Sequence, residues 1–129
     1  MTRNDVESLF GSIYERWSTG NIENLERDFS EGVVATVDGC QFGLEDLRER
    51  IVLFYDQYEF LESKIEDFIF DEDTLAVRLY AEIKRREDEE IIVDTFHWFF
   101  EVKENQVTKY WAITNYSFGF SEPRFPLKK

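Results

Sequence analysis

Asp94 is the residue whose setting first suggests chemistry. Read as a strand, Ile92 to Val102 presents Asp94, Phe96, Trp98, Phe100 and Val102 on one face, and Val93, Thr95, His97, Phe99 and Glu101 on the other. The first face is the more uniformly apolar, so it is expected to turn toward the core, with Asp94 at its end. Desolvation favours the protonated form of a carboxyl, which can then serve as a general acid or a hydrogen-bond donor. The plain alternative is an aspartate at a strand rim that faces water. His97 is the only histidine, so any imidazole-dependent proton transfer must use it. Alternation places it on the outer face, opposite Asp94. Trp111, Ile113 and Asn115 share one face of a later strand. An amide such as Asn115 can orient a ligand carbonyl or a water, but it cannot act as a general base. Trp17, Phe54, Tyr58, Phe96, Trp98 and Trp111 are candidates for the aromatic lining of a ligand pocket, with ordinary core packing as the alternative. Asp38 stands in the pair Asp38-Gly39, a hairpin signal that needs no catalytic explanation.

Other chemistries find no support. There is no Ser-His-Asp order, no glycine-rich phosphate loop and no spacing of metal ligands, so neither a metal nor an organic cofactor is expected. A lone cysteine, Cys40, excludes an internal disulfide and a cysteine-rich zinc site. The 129 residues correspond to one domain of ordinary size, with a net charge of −13 that disfavours nucleic acid and anionic membrane partners. Thirteen Phe, six Tyr and three Trp are too many for a disordered acidic chain. No apolar run approaches the ~20 residues of a membrane helix, and no basic-then-apolar leader is present, which points to a soluble, cytoplasmic protein.

The elements that must position these residues follow from periodicity. Val6, Leu9, Phe10, Ile13, Tyr14 and Trp17 recur at helical spacing, which predicts a helix from Asn4 to Thr19, capped by Asn4 with Glu7 and stopped by Gly20. Asn21 is expected to cap a short second helix carrying Ile22, Leu25 and Phe29. A strand from Val33 to Val37, the Asp38-Gly39 turn and a return strand Cys40 to Phe42 precede a third helix opened by Gly43. That helix carries Leu44, Leu47, Ile51, Phe54, Tyr55 and Tyr58 on its inner side. Strands are then expected over Ser63 to Phe70, Thr74 to Lys84, Ile91 to Val102 and Val107 to Tyr116. The tail from Ser117 is irregular and holds Phe118, Phe120 and Phe125. The order gives an α+β architecture: three N-terminal helices covering one face of a curved antiparallel sheet, whose wide mouth suits a small molecule.

Four stretches together resemble the SnoaL-like branch of the nuclear transport factor 2-like superfamily. They are Ile13 to Asn21, an aromatic helix closing on Gly20-Asn21; Phe29 to Gly39, ahead of Gly43; Phe68 to Arg78; and Phe99 to Val107, followed by Trp111 and Asn115. The family usually has Gly and Asp where this chain has Asn105 and Asn115. The resemblance spans about residues 5 to 116 and implies a cystatin-like cone with a hydrophobic pocket. It also implies a small hydrophobic ligand and a two-fold dimer formed by the outer sheet face, which an exposed Phe99 would require. By likeness to ketosteroid isomerase, which shares this fold, Asp94 falls near that enzyme's protonated Asp, with Thr95 the neighbouring match. Tyr14 falls on the helix that carries its oxyanion tyrosine, one residue from the matching position, Ile13. Asp38 falls near its general base, although Val37 is the more plausible inward site.

Two functions follow. One is a cofactor-free isomerase, dehydratase or cyclase. In it Asp94 is the acid or base, Tyr14 the donor to a developing oxyanion and Asn115 the orienting amide, around a closed apolar cavity of ~300–1,000 Å³. The other is a non-catalytic ligand-binding or dimerisation module.

Overall fold

The computed structural model describes residues 2–21 and 23–116. Ile22 and the aromatic tail from Ser117 onward lie outside the described residues. Within them the chain runs α1 (Arg3–Thr19), α2 (Leu25–Asp28), β1 (Phe29–Val37), β2 (Cys40–Phe42), α3 (Leu44–Gln57), β3 (Tyr58–Asp71), β4 (Thr74–Arg85), β5 (Ile91–Lys103) and β6 (Gln106–Ile113). The architecture is α+β, but the helical layer is thinner than expected. Only α1 and α3 are full helices, and α2 is a single turn of four residues.

The six strands order as β2-β1-β6-β5-β4-β3. The long strands β3 to β6 form an antiparallel meander, and β1 joins β6 in parallel. The parallel pairing brings the Asp38-Gly39 turn beside the end of β6. Both turn residues have positive φ, 48° and 90°, as a tight hairpin between right-twisted strands requires. Alternation along β5 is unbroken: Ile92, Asp94, Phe96, Trp98, Phe100 and Val102 are buried beneath the helices. β6 does not alternate strictly. Glu101 pairs with Lys109 while the next residue, Val102, pairs with Val107, so Thr108 is the extra residue of a β-bulge. Val107 points inward before the bulge; Tyr110 and Ala112 point inward after it.

The N-cap of α1 lies two residues earlier than the sequence suggests. Thr2, not Asn4, caps it, and Asp5, not Glu7, completes the capping box. Its last turn holds the buried Arg16, whose Nε donates to Asp28 Oδ2 at 2.6 Å. Its other nitrogens donate to the carbonyls of Glu23 and Asn24. One guanidinium thus gathers the carbonyls of the connection between α1 and α2, and so fixes where β1 begins. The second helix is not capped by Asn21; Asn21 Oδ1 instead accepts from the Glu23 N–H in a local turn. No helix among the described residues is long and apolar enough to cross a membrane.

Gly20 ends α1 with φ of 74°, and the ring of Tyr55 from α3 lies against its Cα. A Cβ built there would stand 3.0 Å from Tyr55 Cγ and Cδ1. Gly20→Ala therefore meets both a left-handed backbone and a ring face. It is expected to lower the unfolding free energy by about 1–2 kcal/mol in a denaturant titration; an unchanged midpoint would contradict this packing.

Candidate functional site

The wide end of the sheet is closed by a short strap, Thr114 to Tyr116, where the chain leaves the β6 ladder. Backbone N–H groups that leave a ladder need other acceptors, and two carboxylates supply them. Asp38, from the β1–β2 turn, accepts from the Thr114 N–H and from the Thr114 hydroxyl, both at 2.9 Å. Asp94 is 4% exposed. Its Oδ2 accepts from the N–H groups of Asn115 and Tyr116 at 3.1 and 3.0 Å, and its Oδ1 from Thr95 at 2.7 Å. The hydroxyl of Tyr116 accepts from Arg85 Nη1 at 2.5 Å. Arg85 also pairs with Asp88 at 2.9 Å and with Glu90, and the guanidinium holds the Asp88 carboxyl below its usual range. The strap is thus latched by side chains from β1–β2, β5 and β4.

Beneath the strap lies a small apolar cavity of about 30 Å³, lined by Trp17, Val37, Phe54, Phe96, Trp98, Tyr110, Ala112 and Thr114. It is far smaller than the expected pocket and has room for about one or two waters. The lining contains no carboxylate, imidazole or ammonium group. Tyr110 is buried, and burial pushes its phenol well above the ordinary range, so it stays a neutral hydroxyl.

The residues singled out from sequence distribute as follows. Asp94 lies on the inner face, but its oxygens are taken by backbone N–H groups. Asn115 meets Asp94 through its backbone, and its side chain is exposed. Tyr14 faces a different partner: its hydroxyl lies 2.7 Å from Ser63 Oγ, tying α1 to β3, and its ring stacks on Phe10. Asp94 and Asn115 are brought together; Tyr14 makes no hydrogen bond to either. Trp17, Phe54, Phe96 and Trp98 line the cavity. Tyr58 stacks on Phe54 at 5.0 Å without lining it. Trp111 requires correction: it is on the outer face, its ring 5.4 Å from Phe99. The bulge at Thr108 reverses the alternation that runs from Val107, so Tyr110 takes the inner place. Alternation counted back from Tyr110 rather than forward from Val107 would have found it. Thr114 was missed because strap formation depends on the distant Asp38.

His97 is on the outer face as alternation requires. There it borders a shallow groove of about 390 Å³ with Asp67, Ile69, Arg78, Phe99, Trp111 and Ile113. Among the described residues, no three His, Cys, Asp or Glu side chains converge as metal ligands do.

Asp94→Asn replaces one acceptor oxygen by a donor that faces two N–H groups. It is expected to cost about 1–3 kcal/mol of stability and to speed amide hydrogen exchange at Asn115 and Tyr116. Unchanged exchange at those amides would show that Asp94 does not hold the strap.

Neither a family model nor a curated protein matches the sequence. Solved structures do. TsrD from Streptomyces laurentii superposes with a TM-score of 0.77 at 11% identity, over 89% of this chain and 91% of that one. A SnoaL-like polyketide cyclase from Agrobacterium tumefaciens superposes with a TM-score of 0.70 at 15% identity, over 84% and 90%. At such identities the likeness concerns the fold, and the fold is the SnoaL-like, nuclear transport factor 2-like one.

Proposed function

We propose that this chain is a SnoaL-like small-molecule domain that binds a hydrophobic ligand between the helices and the sheet, under the 114–116 strap. The observation that carries this reading is the composition of the inner lining: five aromatic side chains, two aliphatic ones and a threonine, with no ionisable acid or base among them short of the Tyr110 phenol. Such a wall supplies burial and orientation rather than proton transfer. The present void is too small for an organic ring, since ~150 Å³ accommodates benzene. Ligand uptake therefore requires the wall to yield. The strap is the part built for it, because side-chain latches hold it where a strand ladder holds the rest.

A second reading, a cofactor-free isomerase, dehydratase or cyclase, draws support from one feature. Asp94 is a buried carboxylate two residues from Phe96 on the same inner face, in a fold shared with a SnoaL-like polyketide cyclase. In that reading a displaced strap frees Asp94 to act as acid or base, with Asn115 leaving alongside it and Tyr14 as donor.

We also propose that the outer sheet face is covered by a second copy of the chain. Ile69, Val93 and Ile113 are each about 60% exposed, and Phe99 is 41% exposed beside Trp111. Ile69, Phe99, Trp111 and Ile113 border one shallow groove; exposed apolar area of this kind calls for cover, and a two-fold pair supplies it with one surface used twice.

An NMR titration with 1-tetralone, a bicyclic aromatic ketone, tests the binding role. Saturable shifts of the Ala112 methyl are expected, and Ala112→Leu, which fills the void, is expected to lower the affinity at least tenfold while the fold is kept. Equal binding by the variant would place the ligand elsewhere. Deuterium appearing at the ketone's α-carbon, and stopping in Asp94→Asn, would instead establish the enzymatic reading. For the outer face, the wild type is expected to elute at dimer mass and Phe99→Glu at monomer mass; a monomeric wild type would remove the dimer.

A further inference from the structure

A separate cavity of about 480 Å³ shares no residue with the inner lining. One face of α1 supplies Asp5, Leu9 and Ser12, the short α2 supplies Arg27 and Asp28, and the β5–β6 turn supplies Asn105. Charged and hydroxyl groups dominate this wall, where aromatic rings dominate the inner one. Asp28 is the buried member, with its side chain 5% exposed. Its Oδ2 accepts from Arg16 Nε at 2.6 Å and from Ser12 Oγ at 2.7 Å. Its Oδ1 accepts no hydrogen bond among the described residues, and its ion pair with Arg27 Nε is long, at 3.7 Å. Buried acceptors are almost always filled, and a carboxylate has room for about four donors. With Oδ2 taken up by Arg16 and Ser12, Oδ1 is the oxygen left to face the cavity.

The charges around that oxygen say what would fill it. Arg16 balances the Asp28 charge from behind, so the cavity itself presents one acceptor oxygen, one cation and one further anion. The cation is Arg27, whose side chain is 68% exposed. It donates through Nη2 to Ser12 Oγ at 3.3 Å, and the rest of its fork makes no hydrogen bond among the described residues. A guanidinium with free N–H groups is a ready partner for a carboxylate. The further anion is Asp5, which uses Oδ2 to accept the Thr2 N–H and keeps its negative charge at the rim. An acceptor and a cation 3.7 Å apart suit a ligand whose own donor and anion are neighbours too.

We propose that this cavity is a second binding site, for a small zwitterion that carries its ammonium and carboxylate on one carbon, the chemistry of a free α-amino acid. The ammonium donates to Asp28 Oδ1, the carboxylate takes the Arg27 fork, and an apolar side chain lies against Leu9. Asp5 adds attraction for the ammonium, and the chain's net charge of −13 works against an anion that brings no positive group with it. The site is independent of the hydrophobic-ligand role proposed above, and neither depends on the other.

The test is an NMR titration of the wild type and Arg27→Gln with three probes: L-leucine, 3-methylbutylamine, which lacks the carboxylate, and 4-methylpentanoate, which lacks the ammonium. Asp28 stays in place, because its loss would strand the buried Arg16 charge. In the wild type, L-leucine is expected to give saturable shifts at the Ser12 and Asn105 amides and to bind about tenfold more tightly than either analogue, the worth of one charge-assisted contact. The side-chain carboxyl carbon of Asp28 is expected to move with L-leucine and with the amine, and to stay still with 4-methylpentanoate. Arg27→Gln, a change at an exposed side chain, is expected to keep the melting temperature and to bring L-leucine down to the affinity of the amine. An L-leucine affinity no better than the amine's in the wild type, or one unchanged in Arg27→Gln, overturns the proposal. So does an Asp28 carboxyl carbon that ignores L-leucine, or a set of shifts confined to the Ala112 methyl, which would place the probe in the inner cavity.

Discussion

The burial of one carboxylate governs the end of this molecule where β6 stops. Asp94 comes inward because β5 alternates without a break, and its stripe must face the helices if Phe96, Trp98 and Phe100 are to be buried. A charged group drawn into that position has to be hydrogen-bonded. The chain meets the requirement by ending β6 at Ile113 and turning the Asn115 and Tyr116 N–H groups onto the carboxylate. Asp38 fixes the preceding residue in the same way. The strap, the roof of the cavity and the position of Thr114 in its wall are all consequences of satisfying acceptors at the ends of β1 and β5.

A second constraint works at the start of β1. The Arg16–Asp28 ion pair is almost fully buried, and the guanidinium's remaining nitrogens are spent on carbonyls of the connection between α1 and α2. Such a pair tolerates the loss of neither partner, because the other charge would remain buried and alone. It anchors the connection that leads into β1, which pairs in parallel with β6 and carries the Asp38-Gly39 turn beside the strap. Arg16, Asp28 and Asp94 thus place buried charge at these two joints, and Arg50 is buried separately over the Phe42 ring.

The aromatic interior explains why cavity and core are hard to separate here. Trp17, Phe54, Phe96 and Trp98 pack on one another at centroid distances near 6 Å, as core rings do, while also enclosing a void. The outer face of the same sheet is apolar for a different reason: nothing in the chain's described residues covers Phe99, Ile69 and Ile113. Tyr14 illustrates how a plausible catalytic side chain is absorbed by structure, since its hydroxyl finds Ser63 across the α1–β3 contact. Tyr55, on a helix face read simply as inner packing, has no such partner among the described residues.

Much was legible in the sequence because the relevant forces are local. Alternation along β4 and β5, the positive-φ turn at Asp38-Gly39, the stop at Gly20 and the helical stripes of α1 and α3 are written within a few residues of one another, and they determined the element order and the side of the sheet that Asp94 and His97 occupy. Tertiary structure alone decided what those residues meet. The bulge at Thr108 moved Trp111 outward and Tyr110 inward, because Val102 pairs with Val107 across the turn at Glu104-Asn105 and leaves one residue over. The capture of Asp94 by Asn115 and Tyr116 and of Asp38 by Thr114 each depend on groups separated by many residues brought together by strand pairing. Periodicity specifies a direction for each side chain, but hydrogen-bond satisfaction is a property of the assembled neighbourhood, and no local pattern encodes it.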